Sequence, residues 1–221
     1  MITLYSGTPG SGKSLHVAKN IYWKLKLGYT VIANFPVNLN KIKHVKGEFI
    51  EIDNNVSPDF LINYALDSFS GEKIKEGRFL LILDECQLIF NAREWNIKGR
   101  ADWLSFFTQH RKYGYDIILI AQFDRMIDRQ IRSLVEYEYK HRKVSNFGSK
   151  GKILSLVMGG HLFVAVKIWY PMKERVDSEF FHARRKYYQI YNTFALFGAL
   201  ADGEERSEGD LSADASKKVS G

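Results

Sequence analysis

The chain has 221 residues, the length of one α/β domain with an extension. Hydrophobic residues make up 45% and charged residues 26% of it, as in soluble globular proteins, so disorder as the dominant state is excluded. The formal net charge is +7, and because the last twenty residues are acidic, the rest of the chain carries a larger positive charge. This charge is compatible with nucleic acid or an anionic membrane face as a partner, and equally with the net charge that solubility requires.

Strands and helices alternate over the first 134 residues. Apolar runs predict strands at residues 2–5, 30–34, 79–83 and 116–121. Helices are predicted between them at residues 13–27, 57–69 and 101–113, the second capped by Ser57 with Pro58 in its first turn. This alternation is typical of βαβ units, so the predicted fold is α/β with a mostly parallel sheet flanked by helices.

The pattern changes after residue 134. Residues 135–144, 152–158 and 161–170 are β-rich, with turns at residues 146–151 and at Gly159–Gly160. We therefore predict an antiparallel β-hairpin region over residues 135–170 within a domain of residues 1–193. Residues 194–221 are predicted to be a disordered tail, because from Asp202 onward they contain no aromatic residue and many Ser, Gly, Asp and Glu.

The chain shows no sign of secretion or of a membrane span. Cys86 is the only cysteine and cannot form an internal disulfide, which favours a reducing compartment. The longest apolar run, residues 194–201, is much shorter than the roughly 18–20 residues that cross a bilayer. The N-terminus lacks the basic and apolar regions of a signal peptide.

A glycine-rich motif lies between the first predicted strand and the first predicted helix. It fits G-x-x-x-x-G-K-[ST], the phosphate-binding P-loop, and consists of Gly7, Thr8, Pro9, Gly10, Ser11, Gly12, Lys13 and Ser14, with Leu15 next in the helix. Backbone N–H groups of such a loop surround phosphate oxygens, and the positive end of the helix adds to the field. Lys13 is predicted to reach the β- and γ-phosphates of ATP, and the Ser14 hydroxyl to bind Mg²⁺.

Two acids end the buried strand at residues 79–83. Asp84 is placed to hold Mg²⁺, and Glu85 to orient or deprotonate the attacking water. A strand ending in Asp-Glu is common by itself, but its combination with the P-loop predicts a Mg²⁺-dependent ATPase. No guanine-reading Asn-Lys-x-Asp motif is present, which disfavours a GTPase.

Two further residues are candidates for the reaction. Gln122 ends the next buried strand, where a polar side chain can sense the γ-phosphate, although the same position also suits a residue that faces solvent. Arg111 is a candidate arginine finger toward a neighbouring subunit, although a basic residue at a helix C-terminus explains it too. Rival fingers, which the sequence does not rank, are Arg93, Arg100 and Arg125.

The histidines show no metal-binding spacing, which disfavours a zinc site. Two runs, at residues 141–143 and 184–188, interleave bases with aromatics, which suits single-stranded DNA. Charged edge strands give the same composition.

Taken in order, these motifs resemble the N-terminal ATPase domain of the zonula occludens toxin (Zot) family, which includes the gene I assembly proteins of filamentous phages. The resemblance covers residues 1–193 and is carried by the opening residues 2–14, Leu83-Asp84-Glu85, His110-Arg111-x-x-Gly114-x-Asp116, Ala121-Gln122, Ile131-Arg132-x-Leu134-Val135 and His141-Arg142-Lys143. It implies an ATPase that drives extrusion of single-stranded phage DNA and virion assembly at the inner membrane. Family members commonly continue into a membrane-spanning helix, whereas this chain ends in a polar acidic tail.

The sequence therefore predicts a P-loop ATPase that acts as a homo-oligomer on the cytoplasmic side of the membrane, with phage or host membrane assembly proteins as partners and single-stranded DNA as a further candidate. It would reach the membrane through a partner or a segment absent from this chain. The alternatives are a DNA translocase of conjugation or segregation type and a nucleotide-binding scaffold with little turnover. A small-molecule kinase ranks last, because no arginine-rich lid is evident.

Overall fold

The computed structural model describes residues 1–71, 73–93, 99–158 and 161–191. The strands are β1 Ile2–Ser6, β2 Thr30–Ala33, β3 Phe49–Glu51, β4 Phe79–Leu83, β5 Tyr115–Ala121, β6 Tyr137–Lys143, β7 Leu162–Trp169 and β8 Glu174–His182. The helices are α1 Lys13–Lys26, α2 Pro58–Phe69, α3 Arg100–Gln109, α4 Arg129–Ser133, α5 Gly148–Val157 and α6 Arg185–Tyr188.

The strands of the described residues form one sheet in the order β3-β2-β4-β5-β1-β6-β7-β8. The six strands from β3 to β6 are parallel to one another, whereas β7 pairs antiparallel with β6, and β8 antiparallel with β7. The predicted α/β class, with a mostly parallel sheet and an antiparallel hairpin at one end, is confirmed.

The apolar strands are buried because helices cover both faces of the sheet. All five residues of β4 are buried and alternate between the two faces. One face packs against α2 and α3, which contribute Leu61, Phe106 and Phe107. The other face packs against α1 through Ile21 and Leu25. Apolar side chains leave water on both faces, and this burial is the main stabilising contribution to the core.

The α2 prediction is confirmed in detail. The Ser57 hydroxyl accepts a hydrogen bond from the N–H of Phe60, and Pro58 occupies the first turn. These two residues satisfy or remove backbone donors that the helix itself leaves unpaired.

The prediction of an antiparallel region over residues 135–170 is wrong in two places. β6 is the last parallel strand of the core, since residues 3–6 of β1 pair with residues 137–140 in parallel register. Residues 152–158, predicted as a strand, lie mostly in helix α5. That helix places Gly151 and Ser155 on one buried face and leaves Ile153 between them exposed, whereas a strand would place all three on the same face.

Two strands escape prediction. β8 is an edge strand with mostly exposed and polar residues, and β3 has three residues, so neither shows a buried apolar run. β8 forms because the chain turns at residues 170–173 and pairs it with β7. The predicted turn at Gly159–Gly160 and the predicted tail of residues 194–221 lie outside the described residues.

Among the described residues, none of the helices has the length and apolar character needed to span a bilayer.

Candidate functional site

The parallel strands bring the predicted site residues, except Arg111, to one edge of the sheet. The carboxyl ends of β1, β4 and β5 lie side by side there, and the segments that follow these strands surround a cavity of about 310 Å³. Its lining residues are Pro9, Gly10, Ser11, Gly12, Lys13, Ser14, Leu15, Asp84, Glu85, Gln122, Phe163 and Tyr188. The first ten of these were selected from the sequence.

The loop from β1 to α1 uses left-handed backbone at three glycines. Gly7, Gly10 and Gly12 have φ of 144°, 73° and 100°, a region that favours glycine. Space is also tight at two of them. A Cβ on Gly7 would lie 2.7 Å from the carbonyl oxygen of His141, and a Cβ on Gly12 would lie 2.7 Å from the Phe163 ring. Strands β6 and β7 therefore support the loop from behind.

Helix α1 begins at this loop without a side-chain cap. Its N-cap is Gly12, and its first turn contains no acidic residue. The first N–H groups of a helix have no partner within it, and they carry the positive end of the helix dipole. The start of α1 is therefore suited to an anion such as a phosphate.

Lys13 lies across the loop. Its Nζ donates a 2.6 Å hydrogen bond to the Gly7 carbonyl and a longer one, 3.4 Å, to that of Thr8. Burial lowers the pKa of Lys13, while the negative charges of Asp84 and Glu85 oppose this shift. The ammonium group is thus held beside the phosphate-binding backbone by carbonyl groups that an incoming phosphate can replace as partners.

Asp84 is held by its neighbours on both sides. The Asn34 side chain accepts a hydrogen bond from the Asp84 N–H at 2.7 Å and donates to its carbonyl at 2.9 Å. The carboxylate accepts hydrogen bonds from the Glu85 N–H, at 2.8 Å, and from the Tyr191 hydroxyl. Burial raises the pKa of Asp84, and the hydrogen bond from Tyr191 opposes this shift. A cation at this carboxylate would favour its ionised form.

Glu85 has an unusual backbone conformation. Its φ of 45° and ψ of 43° are left-handed, which costs a non-glycine residue on the order of 1–3 kcal/mol. This conformation forms the sharp turn after β4, from which the exposed Glu85 borders the cavity. The Gln87 amide donates a hydrogen bond to the Glu85 carboxylate.

The residues present fit a magnesium ion. Mg²⁺ prefers oxygen ligands and keeps several waters, and Ser14 and Asp84 supply a hydroxyl and a carboxylate in the same cavity. In the described parts of the chain, no group of three or more His, Cys, Asp or Glu residues forms a metal cage. An ion at this cavity would therefore take most of its ligands from water and phosphate oxygens, as in other nucleotide sites.

Gln122 follows β5 directly. Its carbonyl accepts a hydrogen bond of 3.1 Å from the Gly7 N–H, so the backbone joins the end of β5 to the start of the phosphate loop. The residue lines the same cavity as Lys13 and Asp84. This location suits a side chain that senses the γ-phosphate.

Arg111 lies apart from this cavity. It precedes β5 and therefore lies at the amino edge of the sheet. Its guanidinium contacts Glu136 at 2.6 Å and Glu76 at 3.4 Å, and Glu136 accepts a hydrogen bond from the Ile2 N–H at the start of β1. The structure does not bring Arg111 together with the P-loop of its own chain.

The basic runs singled out in the sequence are partly engaged within the fold. His141 is buried in β6, whose neighbours are β1 and β7, and burial lowers its pKa to about 3. It is therefore neutral and contributes no charge toward DNA. Lys186 lies 4.5 Å from the centre of the Tyr22 ring on α1, a cation–π contact.

A buried polar network joins α1 to strands β6 and β8. His16 Nδ1 lies 2.9 Å from His141 Nε2, and His16 Nε2 lies 3.4 Å from the carboxylate of Glu179 on β8. His141 Nδ1 in turn lies 3.2 Å from the Ser6 carbonyl, next to the loop. The hydrogen bond from His16 lowers the pKa of Glu179 to about 2. The network therefore ties helix α1 to β6 and β8.

Four residues of the site escape prediction from the sequence. Phe163 and Tyr188 line the cavity, and Asn34 and Tyr191 bind Asp84. The position of Asn34 could have been recognised from the sequence, because it directly follows an apolar strand as Asp84 does. The others come from segments whose path is set by tertiary packing.

The profile of the zonular occludens toxin (Zot) family matches residues 1–184. The chain belongs to the Zot family. This membership agrees with the resemblance carried by the P-loop, the Asp84–Glu85 pair and the segment leading into β5.

Curated relatives are the Gene 1 proteins of phages. That of Enterobacteria phage fd is 32% identical over 166 residues, which are 71% of this chain and 47% of the phage protein. That of Escherichia phage If1 is 30% identical over 169 residues, or 73% of this chain and 47% of the phage protein. The chain thus spans about half the length of these relatives.

Solved structures show the same fold. The N-terminal domain of zonular occludens toxin from Neisseria meningitidis has a TM-score of 0.54 and 22% identity, and the match covers 86% of this chain and 98% of that domain. A second solved structure, the ATPase domain of another protein, has a TM-score of 0.55 and 8% identity, and this match covers 86% of this chain and 84% of that one. The fold is that of a P-loop NTPase.

Proposed function

We propose that the protein is an Mg²⁺-dependent ATPase that drives filamentous phage assembly and export of single-stranded DNA at the inner membrane. The observation that carries this proposal is the meeting of Lys13, Asp84 and Glu85 around one cavity. A site for nucleotide binding alone needs the loop and the lysine, but it does not need a second acid beside the magnesium aspartate. Membership of the Zot family and similarity to phage Gene 1 proteins support the biological role.

In the proposed reaction, different cavity residues bind the phosphates, hold Mg²⁺ and activate the attacking water. The N–H groups at the start of α1 and the Lys13 ammonium bind the β- and γ-phosphates. Ser14 and Asp84 would hold Mg²⁺, which supplies positive charge against the charge of the phosphate oxygens. Glu85 accepts a proton from water as the water oxygen bonds to the γ-phosphorus and the bond to the ADP oxygen breaks. Gln122 orients that water or senses the γ-phosphate.

DNA export is supported by charge. Without the acidic residues 202–221, the chain carries a larger positive surplus than the +7 of the whole. Arg142 and Lys143 lie with Asn146 and Phe147 beside a second cavity, of about 280 Å³, that borders the phosphate loop at Thr8 and Pro9. Cations next to an aromatic ring suit a single strand, whose phosphates and bases they contact. The cytoplasmic face of the membrane, and phage or host membrane proteins as partners, belong to the same proposal.

The test is ATP turnover by the purified chain with and without single-stranded DNA. We expect Mg²⁺-dependent hydrolysis that rises when DNA is added, and equal lengths of double-stranded DNA serve as the control. ATP binding without turnover under either condition would favour the assembly scaffold. Stimulation by double-stranded DNA alone would favour a translocase of conjugation or segregation type.

We further propose that the active form is a homo-oligomer in which an arginine of one subunit acts at the site of the next. Arg111 is the first candidate. An arginine finger of this kind raises the rate of hydrolysis by about 10³–10⁵-fold. Inactive Arg111→Ala protein mixed with inactive Lys13→Ala protein should recover hydrolysis, because some interfaces then join a wild-type arginine to a wild-type loop.

Arg125→Ala, which replaces a rival arginine, is the matched variant in the same mixing experiment. Recovery with Arg125→Ala and not with Arg111→Ala would transfer the role to Arg125. If Arg111→Ala is fully active and only its melting temperature falls, Arg111 serves the ion pairs with Glu136 and Glu76. Specific activity that stays constant on dilution would contradict the oligomer.

A further inference from the structure

Helix α5 buries small residues and exposes large apolar ones, which is the reverse of an ordinary surface helix. Its buried residues are Gly151 and Ser155, whereas its large apolar residues point away from the protein. The exposed fractions are 63% for Ile153, 47% for Leu154, 78% for Leu156 and 76% for Val157, and Met158 directly after the helix is 47% exposed. We call these five residues the α5 face.

Close contact with the chain behind it explains why α5 presents small residues inward. A Cβ on Gly151 would overlap the Val144 carbonyl oxygen, so no side chain fits there. The residues under the helix are Val144, Val164 and Val166, which leave an open groove of about 360 Å³ beside Leu154. Phe147 and Phe180 border this groove and are themselves exposed. The apolar surface is therefore contiguous and larger than one helix.

The surroundings of the α5 face are positively charged. Arg175 borders the groove, and the Arg142 guanidinium lies 5.9 Å from the centre of the Phe147 ring beside it. Lys150 and Lys152 belong to α5 itself, and both are exposed. The three acids of β8 do not offset them, because they are paired in register with residues on the face of the sheet opposite the groove residues Val164 and Val166: Glu174 with Trp169, Asp177 with Lys167 and Glu179 with Ala165.

We propose that the α5 face binds the surface of an anionic lipid bilayer, with its five apolar residues among the acyl chains and the surrounding lysines on the headgroups. Aliphatic side chains beside lysines are the composition of interfacial membrane anchors. Single-stranded DNA fits the α5 face less well, because none of its five residues has an aromatic ring on which a base can stack. A second copy of the chain fits less well too, because two like faces would bring their positive charges together.

The test is flotation of the full chain with lipid vesicles. Wild-type protein is expected to float with vesicles of phosphatidylglycerol and phosphatidylethanolamine and far less with vesicles of pure phosphatidylcholine. Leu156→Ser combined with Val157→Ser should lower binding at least about tenfold, since both side chains lose most of their transfer to lipid. Lys150→Gln combined with Lys152→Gln should lower binding to the anionic vesicles by roughly tenfold.

Leu27→Ser is the matched control, because Leu27 is similarly exposed, at 67%, but lies at the far end of α1. It should float like wild type. All these residues are exposed, so melting temperature and ATP turnover in solution should match those of wild type. The flotation experiment therefore tests membrane binding independently of the proposed ATPase activity.

Three results would overturn the assignment. The first is wild-type protein that does not float with anionic vesicles, and the second is a double serine variant that floats as well as wild type. The third is an oligomer in lipid-free solution that the serine variant reduces to a monomer while vesicle binding is absent. That result would assign the α5 face to contact between copies of the chain.

Discussion

Replacing Lys13 with alanine is expected to abolish ATP hydrolysis and to weaken ATP binding strongly. The ammonium group borders the cavity from the loop, where it bonds the Gly7 and Thr8 carbonyls. When ATP enters, the same group meets the β- and γ-phosphates, and no other lysine or arginine among the described residues lines this cavity. Charge-assisted bonds to phosphate are about twice as strong as neutral ones, and here they act where water is partly excluded.

The rate of inorganic phosphate release and the ATP dissociation constant are the measurements for this variant. Lys26→Ala is the matched control, because Lys26 lies in the last turn of the same helix and away from the cavity. The control should retain both properties. Hydrolysis that persists unchanged in Lys13→Ala would refute the assignment of the loop to phosphate binding.

Replacing Glu85 with glutamine should leave ATP binding nearly intact and lower turnover by about 10²–10⁴-fold, the usual worth of a positioned general base. The glutamine keeps the size of the side chain and its ability to bond with Gln87, but it cannot accept a proton from water. We expect position 85 to keep its left-handed backbone, because glutamate and glutamine meet the same steric cost there and the rest of the turn after β4 is unchanged.

This variant separates chemistry from structure through the comparison of two measurements. Single-turnover hydrolysis should slow, while the dissociation constant for ATP stays within a few-fold of wild type. Gln87→Ala, which removes the amide that bonds the Glu85 carboxylate, is the control for positioning and should lower turnover much less. If binding and turnover of Glu85→Gln fell together, Glu85 would be a structural residue of the turn.

The two antiparallel strands β7 and β8, here called the antiparallel extension, contribute to the cavity beside Lys13 as well as to the sheet. Phe163 of β7 packs against Gly12, and β8 carries Glu179, which reaches back to His16 and Lys19 of α1. Helix α1 is therefore fixed from the side by residues that are distant in the chain. A change in the extension is expected to reach the cavity through these contacts.

Local sequence patterns were enough to predict the four central parallel strands, β2, β4, β5 and β1, and most of the cavity lining. The buried strands β1, β4 and β5 are apolar runs, because a strand covered on both faces has no polar side to interrupt the pattern. The loop residues and Asp84, Glu85 and Gln122 follow those strands directly. Because parallel strands end at the same edge of a sheet, the order of the motifs along the chain already placed them together.

The remaining features depend on how distant segments pack. The edge strand β8 and helix α5 carry patterns that mislead local prediction, since one is polar although it is a strand and the other exposes its apolar side chains although it is a helix. Tyr191 reaches Asp84 from 107 positions away, and Arg111 forms ion pairs with Glu136 and Glu76 on other segments of the chain. Such contacts are set by which surfaces and charges meet in three dimensions, and the spacing of neighbouring residues does not encode them.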